Sequence, residues 1–333
     1  MRILTLGESM IRLSTDPGIL LSNAISLNLQ VGGAEANVAI NLSQLGYNVS
    51  YATKVPLDNP WTLRLERQLD SFRINREHLL YDEGRMGSYF FEKGSGLRAG
   101  RVIYDREGSI IAKMTEVEWD LDRLFEGVDL LHITGITCAL SPSWQKIGVE
   151  IITGAKARGV QVSFDMNYRQ TMWTYEEAIA AYEKILPCVD ILSANRLDAI
   201  HFMGIPDRED TDWPYFAQKI AEKYPNIQYL YGTNRESITP NTYRYSGHLY
   251  SRKLNQSVTS KCYELEEVAD RIGAGDSYAS AIIDGIVNER PLQEIVEFAT
   301  AASVLKHTIE GDINLFNRTD IESFMSNSTN IVR

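Results

Sequence analysis

From residue 130 onward, short apolar runs alternate with stretches whose apolar residues recur every three or four positions. Residues 130–134 (LLHIT) read as a buried strand, 143–158 as a helix, 160–165 as a strand and 175–186 as a helix. Strands are predicted again over 189–194 and 227–231, and helices over 278–287 and 292–306. In the last of these, Leu292, Ile295, Ala299 and Ala302 fall on one face. Such alternation marks βαβ units, hence a doubly wound, mostly parallel sheet with helices on both faces. Two regions break the rhythm. Residues 12–30 and 85–112 are rich in Gly, Ser and aromatic or β-branched residues, as in Gly87-Ser88-Tyr89-Phe90-Phe91. They read as antiparallel strands with turns, suited to a small lid; edge strands of the main sheet are the alternative. The expected organisation is one α/β domain over 1–333, with a lid from 12–30 and 85–112, and without internal repeats.

Composition narrows the classes. The 333 residues include 33 Lys and Arg against 44 Asp and Glu, a net charge of −11. Acidity without a basic block argues against a nucleic-acid partner. No apolar run approaches the roughly 18 residues of a membrane span. The amino-terminal stretch carries Glu8 and Arg12 among apolar residues and lacks a small-residue cleavage site, so it does not read as a secretory leader. Cys138, Cys188 and Cys262 are odd in number and far apart, which reads as reduced thiols in a cytoplasmic protein. The five histidines are scattered, and no dedicated metal site is expected.

Four motifs carry candidate chemistry. Gly273-Ala274-Gly275-Asp276 precedes a stretch of small residues; its amides and the following helix dipole would make an anion pocket. An aspartate there fits proton abstraction from a hydroxyl beside a transferring phosphoryl group, or else a plain N-cap. No Walker A sequence is present. In the second motif, Gly32 to Leu42, Gly33, Asn37 and Asn41 share a helix face, which suits presentation to a polyhydroxylated ligand or a capped, packed helix. The third, Asp165-Met166-Asn167-Tyr168-Arg169, ends a predicted strand, where open α/β sheets gather ligands; Arg169 would fork onto an anion or form an ordinary salt bridge. The fourth, Asn195-Arg196-Leu197-Asp198, offers groups for a hydrated Mg²⁺ or a helix cap.

The order and placement of these motifs resemble the ribokinase (PfkB) family of sugar kinases over essentially the whole chain. Three further stretches, at 131–142, 167–173 and 101–106, are similar to the branch acting on 2-keto-3-deoxygluconate. The resemblance implies a ribokinase-like fold with a β-strand lid, and transfer of the ATP γ-phosphoryl group to a sugar hydroxyl. It also implies Mg²⁺ and a homo-oligomer paired through the lid, and it leaves open whether a monovalent cation supports the anion hole. By motif, Asp276 would be the general base and the amides of Gly273, Ala274 and Gly275 the anion hole. Gly33, Asn37, Tyr89, Tyr104, Arg106 and Arg169 would face the sugar acid, and Asp312 a distal hydroxyl. Asn195 would lie near the Mg²⁺–phosphate path, and Gly232 and Thr233 along the nucleotide. Arg106 and Arg169 are countercharges that a keto acid needs and a neutral hexose does not.

The chain also departs from the family pattern. Asp198 stands where glutamate is usual, and Arg271 where many members have threonine. Tyr231-Gly232-Thr233-Asn234-Arg235-Glu236-Ser237 replaces a glycine-rich turn, and Ile-Asn-Leu-Phe follows Asp312 in place of small residues. A kinase for a neutral sugar (fructose or ribose) and a sugar-binding regulatory relative without nucleotide binding stay open as alternatives.

Overall fold

The computed structural model describes residues 1–208, 212–239 and 242–326. In chain order the strands are β1 (Arg2–Leu6), β2 (Met10–Ser14), β3 (Asn28–Gly32), β4 (Asn48–Pro56), β5 (Asn75–Asp82), β6 (Gly87–Glu92) and β7 (Arg101–Asp105). They continue with β8 (Leu130–Thr134), β9 (Gln161–Asp165), β10 (Ile191–Ser193), β11 (Tyr229–Thr239), β12 (Thr242–Ser251), β13 (Gln256–Thr259) and β14 (Tyr263–Leu265). The main sheet has the order β13-β12-β11-β10-β9-β8-β1-β4-β5, with β14 joined to β12. Every pairing from β5 to β11 is parallel, and the strand joining β11 to the edge is antiparallel. Parallel neighbours need crossovers, and helices provide them. Pro142–Ala157, Tyr175–Ile185, Arg196–Met203 and Trp213–Lys223 contribute to one apolar core, while Ala34–Gln44, Pro60–Ser71, Ala274–Val287 and Leu292–Lys306 contribute to another. This is the doubly wound arrangement that the alternation predicts.

Element ends follow local chemistry. Pro142 opens its helix behind a Ser141 cap, and a capping box joins Thr174 to Glu177 at the start of the next. The helix predicted from 278 begins at Ala274, because the glycine motif is its own first turn. The strand predicted to end at 231 runs on to Thr239. Its polar residues do not form a turn but pair with β12, where Tyr243 and Tyr245 alternate inward.

A second sheet, order β3-β2-β6-β7, is built from β2 with β3 and β6 with β7, both antiparallel hairpin pairs. Contrary to the all-antiparallel expectation, β2 and β6 are parallel. Both leave the carboxyl ends of parallel strands, β1 and β5, and so travel in the same direction. Ser109 and Ile111, within the 85–112 segment, are buried, and Ile111 belongs to the core of the main body. No helix among the described residues is long and apolar enough to cross a membrane.

Candidate active site

The helix Ala274–Val287 starts at Gly273, whose φ of +82° lies in the left-handed region. A Cβ there would also run into the Asp312 carbonyl, so glycine is required on both counts. Gly275 instead faces open space. The Ala274 amide donates to the Arg271 carbonyl at 3.3 Å, whereas those of Gly273, Gly275 and Asp276 find no acceptor among the described residues. Unspent donors at the positive end of a helix make an anion site.

Asp276, in the first turn of that helix, accepts a hydrogen bond from Asn37 Nδ2 at 2.7 Å. Asn37 lies on the helix Ala34–Gln44, entered through Gly33, where a Cβ would strike the Glu8 carbonyl. Asn37 and Asn41 are both buried. Their shared face is covered by protein: Asn37 turns to Asp276, and the Asn41 amide has no partner among the described residues. Part of the Asp276 surface stays open, yet the dense protein around it pushes its pKa up to about 8; the Asn37 bond opposes the rise, and Asp165, Asp312 and Glu35 add to it. A carboxylate poised near neutrality is suited to accept a proton.

Behind the loop lies a group of buried charges of which sequence reasoning singled out only Asp312. Arg12 of β2 is fully buried, sits 5.0 Å over the Phe91 ring, and binds Asp270 and Asp312, the latter at 2.6 Å. Burial alone would lower its pKa; Asp312 and Asp270 outweigh that and raise it above the ordinary guanidinium value. Tyr89 of β6 donates to the Asp312 carboxylate, its hydroxyl 2.8 and 2.7 Å from the two oxygens. The Gly311 amide donates to Asp270 at 3.1 Å. Tyr89 and Asp312, both expected to face the sugar, are thus bonded to each other in this state.

A cleft of about 330 Å³ opens at the carboxyl ends of β9 and β10, beside the interior of β11, lined in part by Asp165, Arg169, Asn195, Asp198, Gly232 and Thr233. After β9 the chain turns at Asn167 (φ +37°), whose amide donates to Asp165 at 3.1 Å. Arg169 is left exposed, donating to the Tyr168 carbonyl at 3.2 Å, and no carboxylate pairs with it among the described residues. Asn195 caps the helix Arg196–Met203 in a capping box: Asp198 N donates to Asn195 Oδ1 at 3.1 Å, and Asn195 N donates to Asp198 Oδ2 at 2.8 Å. Burial pushes the Asp165 carboxyl up to about 6 and that of Asp198 to about 7, with Arg169 pulling both the other way. Gly232 is buried and Thr233 exposed.

On the second sheet, Tyr104 of β7 stands 5.9 Å from the Tyr89 ring and has the Arg106 guanidinium 5.7 Å over its own. Arg106 also donates through Nε to Glu8 Oε2 at 2.8 Å. Glu8 is buried just after β1. Of the two cations expected to meet a substrate carboxylate, Arg106 therefore has a partner within the chain and Arg169 has none among the described residues.

The sequence pattern of the pfkB family carbohydrate kinases matches residues 2–228 and 246–319; the interruption falls on the long β11–β12 hairpin. A solved PfkB family carbohydrate kinase from Listeria grayi is 40% identical, with a TM-score of 0.93 over 98% of this chain and 100% of that one. A solved 2-dehydro-3-deoxygluconokinase from Thermotoga maritima is 34% identical, with a TM-score of 0.92 over 98% of this chain and 99% of that one. The 2-dehydro-3-deoxygalactonokinase of Haloferax volcanii is 28% identical over 96% of this chain and 95% of its own length. With a match across most of its length and relatives above 30% identity, the chain belongs to the pfkB family of carbohydrate kinases.

Proposed function

We propose that this sugar kinase phosphorylates 2-keto-3-deoxygluconate, or a near isomer of that keto acid, from ATP with Mg²⁺. The observation that carries the substrate class is Arg169, a cation exposed on the cleft with no carboxylate of its own among the described residues. A guanidinium exposed beside Asp165 and Asp198, without an ion-pair partner among the described residues, is free to fork onto the carboxylate of an incoming anion. Two relatives are named for keto-deoxy sugar acids, which supports the same class.

In this reading Asp276 takes the proton of the attacking hydroxyl, while the Gly273 and Gly275 amides and the helix dipole meet the charge on the transferring phosphoryl group. The Ala274 amide, spent on Arg271, holds the turn instead. Tyr89, Tyr104 and Arg106 cover the sugar, and Gly33 and Asn37 flank it. Asp312, tied to Tyr89, orients the lid and receives a distal hydroxyl. Gly232 and Thr233 border the nucleotide.

Mg²⁺ fits the residues present. Asp165 and Asp198 share the cleft with Asn195, and burial makes both carboxyls hold protons more tightly than usual, a cost that a bound cation would offset. Asp165 and Asn195 would hold the ion through its waters. When bound, it neutralises phosphate charge.

A coupled kinase assay over acidic and neutral sugars tests the substrate. Arg169→Ala is expected to weaken use of the keto acid by about 10- to 100-fold in kcat/KM, while a neutral sugar changes little. Equal losses on both substrates would overturn the acidic reading. The same proposal includes a cytoplasmic location and a homodimer through the second sheet, whose surroundings expose Leu20, Leu97 and Ile103. Light scattering is expected to give twice the chain mass, and Ile103→Asp to shift it to the monomer. A wild-type monomer would rule that assembly out.

A further inference from the structure

Lys306 is the last residue of the helix Leu292–Lys306 and has no exposed surface. Buried lysines are rare unless a carboxylate pairs with them, and among the described residues none does. Its ammonium instead donates to two main-chain carbonyls, Asp270 at 3.5 Å and Ile309 at 3.3 Å. The first opens the glycine loop that leads to Asp276, and the second belongs to the loop that leads to Asp312. One side chain thus joins the two loops carrying the candidate base and the lid anchor.

In a planar trans peptide, C=O and N–H point in opposite directions. Holding the Asp270 carbonyl on the ammonium therefore turns the Arg271 N–H away from it and fixes the entry of the glycine loop. Burial lowers the lysine pKa, and the charges of Asp270, Asp312 and Asp276 oppose that loss. The charge is accordingly near enough to Asp276 for the two ionisations to influence each other. A fixed positive charge behind an anion hole favours negative charge arriving in front of it.

The sequence leaves open whether a monovalent cation supports the anion hole, and these residues do not fit one. A second cation on the Asp270 and Ile309 carbonyls would sit against an ammonium already there, and the two would repel. We infer that Lys306 is a positioning residue whose tethered ammonium replaces a dissociable monovalent cation behind the phosphate loop, so that this enzyme needs no added alkali ion. This inference rests on the kinase reading for its effect on turnover, but not for its cation chemistry.

The test compares wild type and Lys306→Met in potassium chloride and in tetramethylammonium chloride at equal ionic strength. Wild-type turnover is expected to agree within about twofold between the salts, since general screening differs little between them. Lys306→Met is expected to lose about 10- to 100-fold in kcat with the sugar KM nearly unchanged, and to regain much of it with added ammonium or potassium. A potassium requirement in wild type, undiminished kcat in the variant, or a loss that no small cation restores would each overturn the inference. Thermal melting of wild type in the two salts decides it independently of catalysis. An ion that binds the folded chain raises Tm, so equal Tm values support the tethered ammonium and a potassium-specific rise overturns it. If no sugar is phosphorylated in either salt, the kinase reading falls, while the melting comparison still decides for or against the tethered ammonium.

Discussion

Asp276→Asn is expected to lower kcat by about 10²-fold or more while leaving the chain folded. The substitution keeps the volume, and the bond to Asn37 (2.7 Å in the wild type, from Nδ2 to Oδ2) has an amide oxygen to accept it. What disappears is the capacity to take a proton. Two pH measurements separate that role from a structural one. Because the carboxyl is raised to about 8, wild-type kcat/KM should climb with pH and level off above about 8, and the variant should lose this limb. Stability should move the other way. A carboxyl whose folded pKa exceeds its unfolded value contributes stability that is complete below the unfolded pKa and is lost as pH rises through the folded one. The Asn variant escapes that loss, so its Tm should exceed that of wild type above about pH 8, with the gap closing toward pH 4. Turnover within a few-fold of wild type would remove Asp276 as the base.

Arg12→Met is expected to destabilise the fold by about 3–5 kcal/mol, the usual consequence of stripping one member from a buried ion cluster. Asp270 and Asp312 would both lose their guanidinium partner where water cannot replace it. Adding Asp270→Asn to the variant should recover part of the loss, because an orphaned charge is then removed as well. Urea unfolding measures both steps. A loss below about 1 kcal/mol would mean that the cluster does not hold the second sheet to the body.

The alternating core was legible because parallel strands buried on both faces leave continuous apolar runs, and the helix 292–306 was readable to the residue. The glycine motif was legible because positive φ and unspent amides have a local signature. The charge cluster was not, since Arg12 and Asp312 are 300 positions apart and only folding brings them together. A signal was nevertheless present. Glu8 and Arg12 interrupt an apolar stretch, and a charge within a buried strand must find a partner. Read only as arguments against a leader, they gave no hint of Arg106, Asp270 or Asp312. The Asn37–Asn41 face was ambiguous for a related reason: polarity on a helix indicates a polar neighbour, and for Asn37 that neighbour includes an aspartate on another helix. The β11–β12 hairpin was missed because the strand was ended at Tyr231, where the polar run Thr233 to Ser237 follows, although the tyrosines opposite that run alternate as a strand requires.

The parallel pairing of β2 with β6 limits how the second sheet can move against the main body. Both strands are rooted in the main body, at Arg12 and Tyr89, by bonds to the same aspartate. A flap anchored at two such points cannot swing like a door. Any opening of the second sheet is therefore expected to come from bending of its outer rim, at β7 and its preceding loop, rather than from rotation of the whole sheet.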